Sequence, residues 1–379
     1  MFTQKNKTTI ILGAGASKPY GYPLGAELID NIIWSISNDW IFLACPESLD
    51  CNHRNYNLSE DHVFTVLDDI PLMDSFENVV ADNNFQSYNN INLNHSIAST
   101  DCSEGRLRAI NYNNNDDRVF AIKLSQIKEL KELKDFLISF SPVSIDKFLS
   151  EHPNLQAAGK LMIYYSLLKC ERKSIEKFNK EFNKFLHPEI NEQLSAQDNW
   201  YRLLLNEITS GIGKNNSDAI LQTDLDIITF NYDISLEYYL RTRLDNIPIT
   251  KSLITNDFYK DNIKIHHVYG KLHSLNDFDY GFIGGDPDKE QLDDSGETLI
   301  NTRLFLMSLQ LSRRENGDPI KIIGERDNFK FPHETNKWGK CEFYRKNKNI
   351  YIIGFGFEEN NQRLLDFNTL FSCPSGEYE

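Results

Sequence analysis

Residues 10–30 read IILGAGASKPYGYPLGAELID. An apolar run stops at Gly13-Ala14-Gly15-Ala16-Ser17, passes through the turn residues Pro19 to Pro23, and gives way to a helical pattern. From Leu24 the apolar residues fall at 24, 28, 29, 32, 33 and 36, a spacing that lines one face of a helix. Residues 8–12 read as a short buried strand. Strand, small-residue turn and helix together open a doubly wound α/β unit. Gly13 and Gly15 lack a Cβ, so the backbone can turn tightly and pass very close to something. Peptide N–H groups and the start of the following helix suit an anion there. On this stretch alone, a plain strand-to-helix turn explains the glycines equally well.

The same pattern returns near the other end of the chain. DLDIITF (224–230) reads as a strand that runs into Asn231, Tyr232 and Asp233, followed by the helical ISLEYYLRTRL. NIKIHHVYG (262–270) alternates as a strand does, with Ile265, His267 and Tyr269 on one face and Lys264, His266 and Val268 on the other. KNIYIIGFGF (348–357) is an apolar strand ending in glycines, with the helical NQRLLDF beyond it. Between these ends lie LSQIKELKELKDFLISF (124–140), the long helical pattern of 144–186 and NWYRLLLNEI (199–208). An Asn-rich segment at about 81–117 lacks periodicity and reads as irregular. The expected organisation is a Rossmann-like α/β core with a parallel sheet, formed by residues 1–45 and 220–379. A mostly helical insertion is expected over 46–219.

Bulk properties narrow the function. The chain has 379 residues, 40% apolar and 25% charged, and a formal net charge of -15. An acidic chain is a poor partner for nucleic-acid phosphates. Its longest apolar runs are too short to cross a bilayer, and the first residues lack the apolar core of a signal peptide. A cytoplasmic protein with no membrane contact is therefore expected. Cys45, Cys51, Cys102, Cys170, Cys341 and Cys373 form no C-x-x-C pair, so neither a zinc ribbon nor a redox motif is visible.

Three groups of residues carry candidate chemistry. Asn231 and Asp233 follow a strand at the edge where α/β sheets bind ligands, although Asp233 is equally placed to cap the helix after it. Gly354 and Gly356 end a second strand with Glu358 just beyond. There a carboxylate suits ribose hydroxyls, and equally suits the first turn of a helix. His266, His267 and His273 fall within eight residues at a strand end. Histidine is the side chain best suited to exchanging protons near neutral pH.

GAGAS with GYP after it, TFNYD with SLEYYL, HVYG, and GFGF followed by Glu358 and Asn360-Asn361 together resemble the bacterial sirtuin-like family of NAD-consuming domains, especially those of antiphage defence systems. SIDKFLSEHP resembles that family's helical insertion. The resemblance implies a sirtuin-like core and assigns roles residue by residue. Gly13, Ala14, Gly15, Ala16 and Ser17 would hold the diphosphate, and Pro23 would belong to the loop over the nicotinamide. Asn231 would position the attacking water or a ribose hydroxyl. Asp233 would sit near the nicotinamide ribose or carboxamide, and Thr229 would join the cofactor-binding set. Gly354, Phe355, Gly356 and Glu358 would face the adenosine. The family's histidine commonly sits in a His-Gly pair, and here Tyr269 stands at that position. His267 is therefore taken as the base, with His273 and Tyr269 as fallbacks.

The implied activity is an NAD+ glycohydrolase, a hydrolase releasing nicotinamide and ADP-ribose as an abortive-infection effector. NAD+ would be its substrate, with no metal. A deacylase of the sirtuin kind is the alternative, disfavoured by the missing cysteine pairs. A catalytically silent ADP-ribose or NAD sensor is the third reading, kept open by Tyr269. No G-x-x-x-x-G-K-[ST] motif occurs. Control is expected from homo-oligomerisation or from a separate protein, for which the resemblance suggests a HerA-type ring ATPase.

Overall fold

A computed structural model describes residues 7–39, 43–44, 63–66, 121–183, 199–210, 224–245, 262–273 and 349–366, with residues 301, 304–305, 307–309, 311–312, 320–323 and 325. The strands in chain order are β1 (Thr8–Leu12), β2 (Leu43–Ala44), β3 (Val63–Val66), β4 (Ala121–Lys123), β5 (Leu225–Thr229), β6 (Ile263–His267) and β7 (Asn349–Ile353). The helices are α1 (Gly25–Asn38), α2 (Leu124–Phe140), α3 (Ile145–Glu151), α4 (Gln156–Asn183), α5 (Trp200–Thr209), α6 (Ser235–Asp245) and α7 (Glu359–Leu365). The Asn-rich segment at 81–117 lies outside the described residues, as do all the cysteines except Cys170. The chain divides into two compact units. One comprises Met1–Gly25, Cys170–Gly284 and Asn316–Glu379; the other comprises Ala26–Lys169 and Gly285–Glu315.

The first unit holds a four-stranded sheet, all parallel, in the order β6-β5-β1-β7. With its flanking helices it is of the α/β class. β1 (TTIIL) and β5 (LDIIT) are buried at every position. Parallel strands covered on both faces need such near-continuous apolar runs. The one carboxylate among them, Asp226, sits 2.8 Å from the Lys7 ammonium. The pairing is in step: Leu12 lies opposite both Thr229 and Ile353, and Thr229 lies opposite His267. His267, Thr229, Leu12 and Ile353 therefore form one row across the sheet, and the segments after all four strands begin side by side. Among these strands the order reverses at β1, because β5 and β6 continue to one side and β7 returns on the other.

Two local features differ from the sequence reading. β6 stops at His267, and Val268 and Tyr269 form a turn closed by Gly270 at φ 79°. Tyr269 therefore does not continue the strand alternation beyond His267. The glycine turn also does not lead straight into a long helix. Short 3-10 turns at Ala14–Ala16 and Lys18–Tyr20 intervene, and α1 starts only at Gly25. Pro19 has no amide to propagate a helix, and Gly21 ends the second turn at φ 94°.

The second unit contains the three-stranded antiparallel sheet β2-β3-β4 and the helices α2 and α3. The helical reading of the middle of the chain did not anticipate these strands. Leu130, Leu133 and Leu137 of α2 bury one stripe, as their spacing predicts. Ser144 caps α3 by accepting from the Lys147 amide at 3.3 Å. Buried Asp39, just past α1, accepts from the Tyr165 hydroxyl at 3.0 Å and the Lys169 ammonium at 2.6 Å. Among the described residues no helix is long and apolar enough to cross a membrane.

Candidate functional site

The row of strand ends brings the candidate segments together, and the glycines show why small residues are needed there. The Gly13 amide donates to the Ile353 carbonyl at 3.0 Å, and the Gly15 amide donates to the Gly354 carbonyl at 2.9 Å. A Cβ on Gly13 would lie 2.6 Å from the Gly354 oxygen, and one on Gly15 would lie 2.8 Å from the Gly354 Cα. Gly354 itself sits at φ 61°, where a Cβ would lie 2.0 Å from the Ala16 nitrogen. The turn after β1 and the turn after β7 pass backbone against backbone, and that close passage is what the glycines permit. The Ala16 and Ser17 amides are also used internally, on the Gly13 and Ala14 carbonyls at 2.9 and 3.2 Å. Ala14 is the exposed residue of these five. Indole Nε1 of Trp200, at the start of α5, fixes the turn from outside by donating to the Ala16 carbonyl at 2.7 Å.

Asn231 ties this turn to the end of β5. Its Nδ2 donates to the Gly13 carbonyl at 3.0 Å and to the Ser17 hydroxyl at 2.9 Å. Its own amide donates to Thr229 Oγ1 at 3.1 Å. Ser17 in turn donates to Asp233 Oδ2 at 2.7 Å. The other oxygen of Asp233 accepts from the Ser235 amide at 3.1 Å and from the Ser235 hydroxyl, which also meets the Tyr201 hydroxyl at 2.6 Å. Asp233 thus caps the start of α6 and anchors the glycine turn at once. Burial pushes its carboxyl up, against the pull of the hydrogen bonds from Ser235 and Ser17. Burial, followed by the nearby Asp233 charge, raises the Tyr201 phenol well above its ordinary value. No donor among the described residues reaches Asn231 Oδ1. In this buried network it is the acceptor left for a water or a ligand hydroxyl.

The groups considered for proton transfer all have protein partners. His267 is buried, with Nδ1 2.9 Å from the Asn231 carbonyl and Nε2 2.6 Å from Glu237 Oε1. A carbonyl and an ionised carboxylate are both acceptors, so both ring nitrogens are placed to donate. Burial alone would lower the His267 pKa, but the Glu237 carboxylate outweighs it and holds the ring above its ordinary value. Burial alone would raise Glu237, and His267 outweighs that in the other direction. His273 Nε2 meets Glu171 at 2.7 Å, both buried. The Tyr269 hydroxyl donates to Asn361 Oδ1 at 2.8 Å.

The remaining expected residues lie around the same edge. Thr229 supports Asn231 through its hydroxyl and accepts from the Val268 amide at 2.8 Å. Phe355 is buried with its ring 5.1 Å from Phe230 and 5.2 Å from Phe357. Gly356 has open space where a Cβ would stand. Glu358 is the cap of α7, accepting from the Asn361 amide at 3.1 Å and the Asn360 side chain at 2.9 Å. Pro23 is half-buried in the loop before α1. Sequence reasoning missed Ser235, Glu237, Tyr201 and Trp200. Glu237 and Ser235 lie in the SLEYYL motif, but their partners are remote in sequence and no local pattern reveals them. Among the described residues no group of three or more His, Cys, Asp or Glu side chains could hold a metal ion. Comparison of the chain with family models, curated proteins and solved structures finds no match.

Proposed function

We propose that the first unit is a sirtuin-like, Rossmann-like core that hydrolyses NAD+ to nicotinamide and ADP-ribose. The observation that carries this reading is Asn231. It stands at the end of β5, beside the strand where the sheet order reverses, with its amide nitrogen spent on the glycine turn and Oδ1 without a donor among the described residues. Ligands of open α/β sheets lie at such a reversal, outside the carboxyl ends of the strands. In the proposed reaction the bond from ribose C1′ to the nicotinamide nitrogen breaks, and its electron pair leaves with nicotinamide. A water held by Asn231 Oδ1 adds to C1′ and releases a proton to solvent. Positive charge develops on the sugar, as in other glycosyl transfers, and a fixed acceptor beside it favours that state. The helical insertion, a cytoplasmic role in antiphage defence, self-assembly and control by a HerA-type ring ATPase belong to the same proposal. They rest on the resemblance of the motifs.

One observation favours a second reading, a domain that binds NAD+ or ADP-ribose without cutting it. His267, His273 and Tyr269 are all engaged by protein partners. The test is nicotinamide release by the wild type and by Asn231→Ala, with and without a candidate ATPase and with an acetylated peptide in a separate arm. Release without peptide that Asn231→Ala abolishes supports the hydrolase. Release only with peptide supports a deacylase. Binding without release supports the silent domain, and full activity in Asn231→Ala removes the assignment.

A further inference from the structure

We infer that His267, paired with Glu237, is a positioning residue that aims Asn231, not the proton acceptor of the reaction. The inference rests on the proposed hydrolase reading for its catalytic consequence and on geometry for its structural one. The backbone carbonyl of Asn231 is a hydrogen-bond acceptor with no proton to give. The 2.9 Å contact to Nδ1 is therefore an N–H donated by the ring. On the far side Nε2 meets a carboxylate at 2.6 Å, the short distance of a charge-assisted bond. A ring donating from both nitrogens has no lone pair with which to accept a proton from water.

The same two contacts make it a strut. Glu237 in the first turn of α6 holds the ring, and the ring holds the peptide of Asn231 in the link between β5 and α6. From its opposite side the Asn231 amide is held by Thr229 Oγ1. The peptide groups on either side of the Asn231 Cα are both fixed, one at its N–H and the other at its C=O, so the side chain is delivered to Gly13 and Ser17 in one orientation. Among the described residues, the charged groups acting on His267 include Glu237, which favours the cation, and Lys271, which opposes it. Asp233 interacts with Glu237 on the same helix start.

The two roles predict opposite pH limbs. A base works when deprotonated, so its rate climbs as pH rises through the imidazole's pKa. A cationic strut fails on deprotonation, so the rate falls as pH rises through that value. The experiment is the pH profile of NAD+ hydrolysis by the full chain, for wild type, His267→Gln and Glu237→Gln. The expected result is an alkaline fall in the wild type that moves to lower pH in Glu237→Gln. In His267→Gln, kcat drops roughly tenfold to a hundredfold with KM little changed, because misplacing a reacting group costs that order. A rising limb that His267→Gln abolishes overturns the inference.

A second readout needs no turnover. In 15N-histidine spectra at neutral pH the His267 ring should carry protons on both nitrogens. The Asn231 side-chain amide resonance, identified by its loss in Asn231→Ala, should shift in Glu237→Gln. A neutral ring, or an Asn231 resonance that does not move, overturns the strut whatever the chain does to NAD+. Absence of hydrolysis with both signatures present sinks the hydrolase reading and leaves the strut standing.

Discussion

The side-chain amide of Asn231 donates to the Gly13 carbonyl, 218 positions earlier in the chain, at 3.0 Å. Through this bond the end of β5 holds the turn after β1, and Ser17 and Asp233 close the circuit. The bond's direction matters, because a carbonyl needs a donor and an amide supplies one.

Asn231→Asp keeps the shape and removes the donor. An ionised carboxylate would then face the Gly13 carbonyl, acceptor against acceptor, in a buried setting. The expected cost is about 2–3 kcal/mol, read as a lower urea midpoint with an unchanged slope. An unchanged midpoint would show that the bond does not hold the turn.

Gly354→Ala and Gly356→Ala form a matched pair. At Gly354 a methyl meets the Ala16 nitrogen at 2.0 Å and the backbone is left-handed, whereas at Gly356 nothing lies within 4 Å. The first should cost about 3 kcal/mol or more, and the second should stay within about 0.5 kcal/mol. Equal melting temperatures for the two variants would refute the interlocked turns.

Stability should follow the His267–Glu237 pair with pH. The His267 pKa is raised by folding, so its contribution is complete below the ordinary imidazole value of 6.5 and fades as pH climbs through the folded value. The Glu237 pKa is lowered, so its contribution is present above the ordinary 4.5 and fades as pH falls through the folded value. Thermal melts across this range should show His267→Gln flattening the alkaline side.

In the second unit, Lys169→Met should leave Asp39 with the Tyr165 hydroxyl as its remaining side-chain donor among the described residues. The Asp39 carboxylate is buried and the lysine lies 2.6 Å away. Removing one partner of such a pair costs roughly 3 kcal/mol. A double variant, Lys169→Met with Asp39→Asn, should recover part of the loss in chemical denaturation.

β1, β5 and β7 were legible as apolar runs bounded by turn residues and β6 as an alternating one, whereas β2, β3 and β4 were not. A parallel sheet necessarily brings the segments after such runs to one edge. That is why Asn231, the glycine turn and Gly354 meet as expected from motifs alone. The reason for the glycines was not legible, since GAGAS does not say whether an anion or another backbone comes close. Nor were the partners of His267. Strand alternation places a histidine on a face, but only the packing of α6 beside β6 puts a carboxylate on its ring. Asp233 shows both sides of the problem: its sequence suits a cap, and it caps, while also receiving the Ser17 hydroxyl from the far end of the chain.

The central position of β1 has a consequence for biogenesis. Its two neighbours are β5 and β7, and the latter begins only at Asn349. At about 5–20 residues per second of synthesis, the first strand leaves the ribosome roughly tens of seconds before its last partner exists. The four-stranded sheet can close only after residue 353 has been made, and until β5 emerges TTIIL has no parallel neighbour to pair with.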